Sequence, residues 1–259
     1  MSPLLAVRYL AFNRRSPLFA DARVRRAVNF ALDRRALADL FGWPPADHYL
    51  PPAMPGYRDS HLYPLGRPDL ERARALARGR GGRAVLHVCQ YTYCKQFAGI
   101  IRANLAAIGI QVTVKAARDP GARASAEGGD MLLTQLSAAF PSYYQDPVTF
   151  LENTLATPRS RARLRRVGPS RFDDRPVVPP GWLPGGRFQR ELEQIGRLGG
   201  PDREAAAGAL DLEIARAAPG AVLLSETVTA FFSARMGCQT FQPLYYGVDI
   251  AALCMHDED

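Results

Sequence analysis

The sequence contains no apolar run that approaches the roughly 18 to 20 residues needed to cross a bilayer. Near its start only Leu4 to Val7 form an apolar block, which is too short for the core of a signal peptide. With 47% hydrophobic residues in a chain of 259, there is still ample material for a folded core. A membrane span and overall disorder are excluded, and any export signal is expected upstream of Met1.

Lysine is scarce, since Lys95 and Lys115 are the only two, and arginine supplies nearly all of the positive charge behind a net charge of +8. The arginines are scattered among alanine, glycine and proline. The densest cluster, "RSRARLRR" from Arg159 to Arg166, lies in a proline- and glycine-rich stretch, so we interpret it as a solvated loop. Positive charge alone therefore does not indicate nucleic-acid binding.

The motifs of common active sites are missing as well. There is no G-x-S-x-G, no H-E-x-x-H, no P-loop and no dinucleotide fingerprint. Asp173 and Asp174 are adjacent on a loop, which does not give a carboxylate pair of defined geometry. Four histidines lack the spacing of metal ligands; they are His48, His61, His87 and His256. Binding is favoured over catalysis, and no cofactor or metal is expected.

Cysteine is sparse, but the four residues form an even set. Cys89 and Cys94 enclose "CQYTYC", a spacing at which a disulfide can close a small loop. Cys238 and Cys254 could form a second bridge near the C-terminus. The sequence leaves open the alternative of four free, mostly buried thiols.

Strand and helix patterns alternate along the chain and indicate an α/β fold. "VRYLAFN", from Val7 to Asn13, is predicted to be a strand. The amphipathic pattern that follows Asp21 predicts one helix that ends at Gly42, with its arginines, including Arg34, on a solvated face. A further helix is predicted from Asp69 to Arg78.

The clearest unit is a strand, helix and strand in the middle of the chain: "AVLHVC", a helix from about Lys95 to Ile108, and a strand from Ile110 to Lys115. "MLLTQLS" is predicted to be another buried strand. Toward the C-terminus, helices are predicted from Phe188 to Leu198 and from Pro201 to Ala217, followed by "AVLLSETVTAFFSA" as one strand or a strand pair.

Four aromatic rings and two prolines crowd the stretch "SAAFPSYYQDPVTF" from Ser137 to Phe150. Each proline removes a backbone donor and fixes its own φ, so the rings are expected on a shaped loop. The strand "MLLTQLS" delivers this loop to the carboxyl end of the sheet, where open α/β sheets bind ligands. The loop therefore either closes a core or lines a cleft.

Several segments resemble, in order, landmarks of the family 5 extracellular solute-binding proteins. "YLAFNRRSPLFADARVRRAVNFALDRRAL" resembles the segment that enters their second lobe. Successive landmarks are matched by "YLPPAMPGY", "YPLGRPDLERARAL", "IIRANLAAIGIQVTV" and "DMLLTQLSAAFPSYYQDPVTFLENTL". The resemblance covers nearly the whole chain and is weakest from Thr157 to Gly186.

The resemblance implies an α/β, periplasmic-binding-protein-like lobe of type II, similar to cluster C, with a mixed sheet flanked by helices. Residues 1–14 would be a hinge strand on the side of the first lobe. Residues 15–228 would form the second, ligand-binding lobe with an irregular loop at 157–187, and residues 229–259 would return to the hinge and first lobe. Most of the first lobe would be absent, and the exposed apolar surface would favour self-association.

In function, the resemblance implies a bacterial, extracytoplasmic protein that hands a peptide-like or other small organic solute to the permease of an ABC importer. Such a protein is not an enzyme, and it would meet the membrane only through an upstream lipid anchor. The alternative is a sensing domain fused to a regulatory protein; a nucleic-acid-binding role rests on charge alone. The implied oxidising compartment favours disulfides Cys89–Cys94 and Cys238–Cys254.

Peptide-binding relatives carry approximately G-W-x-x-D-Y-x-D-P at the ring-rich stretch, where the first aspartate pairs with the α-ammonium of the peptide. Tyr143 stands here in place of that carboxylate. The expected ligand wall consists of Phe140, Ser142, Tyr143 and Tyr144, and Asp146 with Pro147 would form a structural turn. The resemblance thus implies a ligand without a free amino terminus, such as a sugar, a blocked peptide or an aromatic compound. The rings would otherwise fill the core of the lobe.

Overall fold

A computed structural model describes residues 2–137, 145–154, 178–179, 182, 186–242 and 247–255. Within this part of the chain the main elements are β1 (Ser2–Phe12), α1 (Pro17–Ala20), α2 (Ala22–Ala31), α3 (Arg34–Asp39), α4 (Leu70–Ala77), β2 (Gly82–Cys89), α5 (Thr92–Ala106), β3 (Ile110–Ala117), α6 (Pro120–Glu127), β4 (Met131–Ser137), α7 (Pro147–Thr154), α8 (Arg187–Ile195), α9 (Gly200–Ala217) and β5 (Gly220–Val228). Four two-residue strands follow: β6 (Met236–Gly237), β7 (Phe241–Gln242), β8 (Gly247–Val248) and β9 (Cys254–Met255).

The five long strands form one mixed sheet in the order β3-β2-β4-β1-β5. β2 runs parallel to β3 and to β4, whereas β1 runs antiparallel to both of its neighbours, β4 and β5. The mixed α/β architecture expected from the sequence is confirmed. β1 lies beside β5, as expected for strands from the two ends of the lobe. It is an interior strand of the sheet, with β4 on its other side. The division of the chain into hinge and lobes stays a prediction.

Helices cover both faces of this sheet, and β1 shows why its sequence is apolar almost throughout. Leu10 and Phe12 point toward one core, which is built with residues of α1 to α5. Leu5, Val7 and Tyr9 point toward a second core, which is built with residues of α6 to α9. Since successive side chains of a strand alternate between faces, a strand that is covered on both sides must be apolar at nearly every position.

The single helix predicted between Asp21 and Gly42 is wrong, because two helices occupy this segment. Asp21 accepts a hydrogen bond from the backbone N–H of Arg23 and caps α2, and Asp33 accepts one from Ala36 and caps α3. The prediction of a solvated Arg34 is also wrong, because this side chain is fully buried. The change of direction between the helices carries Arg34 into the protein.

Other elements lie near their predicted places. β4 coincides with "MLLTQLS", and "AVLLSETVTAFFSA" contains one strand, β5, that ends at Val228. Beyond β5, the described residues form two small ladders, β6 with β9 and β7 with β8, and the Phe231 side chain is 92% exposed. None of the helices described is both long enough and apolar enough to span a bilayer.

Two buried histidines have opposite surroundings. His87, on β2, is fully buried, and neither ring nitrogen has a hydrogen-bond partner among the described residues. Burial, as the largest effect, lowers its pKa. The Nδ1 atom of His48 lies 2.7 Å from Oδ2 of Asp211 on α9. Burial alone would lower the pKa of His48, but the hydrogen bond and the charge of Asp211 outweigh it and raise the pKa.

The two histidines should therefore give opposite pH dependences. The contribution of neutral His87 is present above about pH 6.5 and is lost as the pH falls, because the unfolded chain binds the proton more readily. The contribution of His48 is complete below about pH 6.5 and is lost as the pH rises through its raised pKa. We expect His87→Leu to lose less stability than the wild type between pH 7 and pH 5.

Urea unfolding at intervals between pH 5 and pH 8 measures this difference. His61→Leu is the matched control, since it replaces a histidine whose side chain is largely exposed. Parallel profiles for the wild type and His87→Leu would show that folding does not lower the pKa of His87.

Candidate functional site

The carboxyl ends of four strands meet at one edge of the sheet. β2, β3 and β4 are parallel, and β5 shares their direction because both β4 and β5 run antiparallel to β1. Cys89, Ala117, Ser137 and Val228 end these strands. In open α/β sheets this is the edge at which ligands bind, and it is here that β4 leads into the ring-rich stretch.

Three polar side chains, Arg8, Gln135 and Glu226, form a cluster close to this edge, which we call the edge cluster. Arg8 lies opposite Gln135 in the β1–β4 register. Its Nη2 atom is 2.8 Å from Oε1 of Glu226, and the Nε2 atom of Gln135 donates a 2.5 Å hydrogen bond to Oε2 of the same carboxylate. The Arg8 and Glu226 side chains are only 11% and 5% exposed. Two charges in neighbouring buried strands thus neutralise each other.

Aromatic rings cover Arg8. The guanidinium carbon lies 5.7 Å from the ring centroid of Trp43 and 5.9 Å from that of Tyr93, within the range of cation–π attraction. Backbone hydrogen bonds to β5 hold Trp43 in place: Ser225 donates to the carbonyl oxygen of Pro44 at 2.8 Å, and Ala46 donates to that of Leu223 at 3.0 Å. The proline-rich segment after α3 is therefore a fixed part of the site.

The hexapeptide "CQYTYC" connects β2 to the first turn of α5 at the same edge. The predicted Cys89–Cys94 disulfide is present and closes this loop. Tyr91 and Tyr93 stack with centroids 5.9 Å apart and ring planes within 10°. Tyr93 also packs edge-on against Phe41, whereas Tyr91 is 50% exposed. The second predicted disulfide, Cys238–Cys254, is present as well, so all four cysteines are bridged.

The residues predicted to form the ligand wall, Phe140, Ser142, Tyr143 and Tyr144, lie outside the described residues. The segment that follows them is described. Asp146 accepts hydrogen bonds from the backbone N–H and the hydroxyl of Thr149 at 3.1 and 2.7 Å, and Pro147 is the first residue of α7. Asp146 thereby occupies the cap position that carboxylates favour.

Asp146 also joins α7 to α9 through Arg203. Nε and Nη2 of Arg203 lie 2.9 and 2.8 Å from the two carboxylate oxygens of Asp146, which is a bidentate pair. Partial burial would raise the pKa of Asp146, but the hydrogen bonds from Arg203 and Thr149 lower it below the usual value. These contacts fix the first turn of α7 against α9.

Comparison with known proteins bears on what this edge is for. Residues 2–160 match the family model described as "Bacterial extracellular solute-binding proteins, family 5 Middle". The chain belongs to this family. The match covers the segments that carried the resemblance in the sequence, from β1 through α7. No curated protein sequence matches this family 5 chain.

Solved structures of similar fold are about twice as long. The clavulanic acid biosynthesis oligopeptide binding protein 2 is 22% identical, with a TM-score of 0.81 over 99% of this chain and 47% of its own. The murein tripeptide binding protein MppA of Escherichia coli is 18% identical, with a TM-score of 0.71 over 99% of this chain and 49% of its own. AgaA from A.tumefacien R10, solved with agropinic acid, is 16% identical, with a TM-score of 0.68 over 100% of this chain and 52% of its own. This family 5 chain spans about half the length of these proteins.

Sequence reasoning missed most of the described edge of this family 5 chain. The edge cluster did leave a signal, because Arg8 interrupts the apolar run "SPLLAVRYLAF" and Glu226 interrupts "GAVLLSETV". Opposite charges in two buried strands indicate that the strands are neighbours. The pair of tyrosines inside "CQYTYC" was visible too, but only the fold shows that this loop lies at the edge where β4 ends.

Proposed function

We propose that the protein is the solute-binding component of a bacterial ABC importer, and that this chain supplies one of two lobes that close on the ligand. The observation that carries the proposal is the match of residues 2–160 to the family 5 solute-binding proteins. The chain spans about half the length of similar structures, so a second lobe of comparable size would provide the other wall of the site. The site would lie at the carboxyl edge of the sheet.

The position of β1 and β5 supports a two-lobe arrangement. β1 begins and β5 ends at the carboxyl edge, and the two strands are neighbours from Ser2 opposite Val228 to Ala11 opposite Gly220. Residues 1–14 and 229–259 would form the crossings to the first lobe on either side of the cleft. Ligand contacts with both lobes would then favour the closed state over the open one.

The compartment proposed is extracytoplasmic. Two disulfides in a chain with no free cysteine favour an oxidising environment. We further propose an upstream lipid anchor and delivery of the solute to a permease, with no catalytic step. These follow from the family, whose members are extracellular solute-binding proteins by description.

The ligand proposed has no free amino terminus. Phe140, Ser142, Tyr143 and Tyr144 would form its wall, with Tyr143 at the position where peptide-binding relatives have an aspartate. A phenol offers a neutral hydrogen bond in place of a countercharge, and a buried ammonium without a countercharge costs on the order of several kcal/mol. The similar structures include oligopeptide and murein tripeptide binding proteins and a complex with agropinic acid, which supports a family in which ligand chemistry varies.

The test uses the full-length protein and two matched peptides, Ala-Phe-Ala and its N-acetylated form, in calorimetric titrations. We expect the acetylated peptide to bind at least tenfold more tightly and to reduce the radius of gyration in X-ray scattering, which reports closure. Tyr143→Asp should reverse the preference, and Tyr143→Phe should keep it. Tight binding of the free peptide through its amino terminus would refute the role of Tyr143. Failure of any solute to compact the protein would refute the binding role itself.

A further inference from the structure

The loop "CQYTYC" has features that a surface loop does not need. Its two ends are joined by the Cys89–Cys94 disulfide, and Cys94 is buried in the first turn of α5. One face of the Tyr91 ring is stacked on Tyr93, yet half of the Tyr91 side chain is exposed. A large ring thus has one face packed and surface left open to an incoming group.

Contacts beneath the loop support Tyr93, on which Tyr91 is stacked. The ring centroid of Tyr93 lies 5.8 Å from that of Phe41 in an edge-on contact and 5.9 Å from the guanidinium carbon of Arg8. Arg8 is in turn fixed by its ion pair with Glu226 at 2.8 Å. A contact surface that is ordered before binding loses little conformational entropy when a ligand arrives. The ring pair therefore has the support that a binding subsite requires.

We infer that the Tyr91–Tyr93 stack is a ligand subsite that receives a flat ring of the solute, with the Cys89–Cys94 disulfide clamping the loop in its binding conformation. This inference rests on the proposed function, because it places the subsite on the wall of the same cleft. Aromatic side chains hold aromatic rings by offset or edge-on stacking, and they hold the apolar face of a sugar ring by contact burial. An aromatic ring and a sugar ring both present an uncharged face, and this face is what the subsite would recognise.

The experiment compares N-acetyl-Ala-Phe-Ala-amide with N-acetyl-Ala-Leu-Ala-amide in calorimetric titrations of the full-length protein. The phenylalanine peptide should bind about fivefold more tightly than the leucine peptide. In Tyr91→Ala the two peptides should bind equally, whereas Tyr91→Phe should keep the ratio. Tyr57→Ala is the control, since this partly exposed tyrosine stacks on His48 and should leave the ratio unchanged. N,N′-diacetylchitobiose, titrated in parallel, shows whether a sugar ring depends on Tyr91 instead.

The clamp is tested by removing one disulfide at a time. Cys89→Ser with Cys94→Ser should reduce the ratio between the two peptides at least twofold, whereas Cys238→Ser with Cys254→Ser should not change it. Urea unfolding confirms that each variant is folded. If Tyr91→Ala leaves the binding of the peptides and of the disaccharide unchanged, the subsite is refuted while the solute-binding role stands. If no solute compacts the wild type, both are refuted.

Discussion

Replacing Arg34 by methionine should lower the free energy of unfolding by about 3 to 5 kcal/mol, whereas Arg35→Met should change it by less than about 0.5 kcal/mol. The two residues are adjacent and both belong to α3. They differ in their surroundings, because Arg34 is fully buried and the Arg35 side chain is 72% exposed. The comparison isolates the environment from the type of residue.

Arg34 is expected to matter this much because its donors join three parts of the fold. Its Nε atom donates to the carbonyl oxygens of Ala46 at 3.0 Å and Val222 at 2.9 Å. Its Nη1 atom donates to those of Asn29 at 2.8 Å and Pro64 at 3.2 Å, and Nη2 donates to Oδ1 of Asn29 at 3.0 Å. Methionine would leave these buried acceptors without their donor, at a cost of about 1 to 3 kcal/mol for each group that water cannot reach.

Burial also lowers the pKa of Arg34 to about 10. The guanidinium therefore stays charged at neutral pH. Removing a buried charge recovers part of its desolvation cost, which is why the expected loss is smaller than the sum over five hydrogen bonds. Arg35 makes only an exposed pair with Asp39 at 2.9 Å, of a kind that contributes little.

Urea unfolding of the two variants beside the wild type measures both effects. A loss below about 1 kcal/mol for Arg34→Met would show that the acceptors around it find water or rearrange. In that case the proline-rich segment between α3 and α4 would not depend on Arg34 for its position, and the backbone hydrogen bonds of Pro44 and Ala46 to β5 would be sufficient to hold Trp43 over Arg8.

The second large effect is expected at Gly208, inside α9. Glycine in the middle of a helix normally costs about 0.5 to 1 kcal/mol relative to alanine, so Gly208→Ala would ordinarily stabilise the protein. Here a Cβ atom would collide with the carbonyl oxygen of Gly56. Gly56 itself has φ of +82° and would collide with the carbonyl oxygen of Glu204 if it carried a side chain. The segment before α4 thus crosses α9 with backbone against backbone.

We expect Gly208→Ala to lower the free energy of unfolding by about 1 to 3 kcal/mol, the usual cost of overpacking a tight contact. Gly99→Ala, in the middle of α5, is the matched control, because a Cβ there meets nothing within 4 Å. It should raise the free energy of unfolding by about 0.5 to 1 kcal/mol. Thermal unfolding of both variants shows whether each substitution raises or lowers the free energy of unfolding. Stabilisation by both substitutions would contradict the close backbone crossing of Gly56 and Gly208.

Local patterns in the sequence were sufficient where neighbours in the chain decide the structure. β4 was predicted at its observed bounds, because a short apolar run between turn residues is typical of a buried strand. Cys89 and Cys94 were paired correctly, because five residues bring them close along the chain. The family was recognisable because five segments occur in the right order.

Distant partners explain what sequence reasoning did not find. Arg34 looks like a solvated helix residue until Ala46 and Val222 are placed beside it. The pairing of Arg8 with Glu226 likewise depends on β1 and β5 becoming neighbours. α6 was missed because "PGARASAE" has few apolar residues, so its pattern is weak. The wall predicted from Phe140 to Tyr144 stays a prediction.

The place of β1 in the sheet has a consequence for the order in which the protein folds. β1 precedes the other strands of its sheet in the sequence, and its partners are β4, from Met131, and β5, from Gly220. Pairings that span so much of the chain must close long loops, which makes them slow. During synthesis β1 can pair with β4 once residue 137 has emerged, but its other neighbour, β5, follows only from residue 220, so the sheet around β1 is completed late.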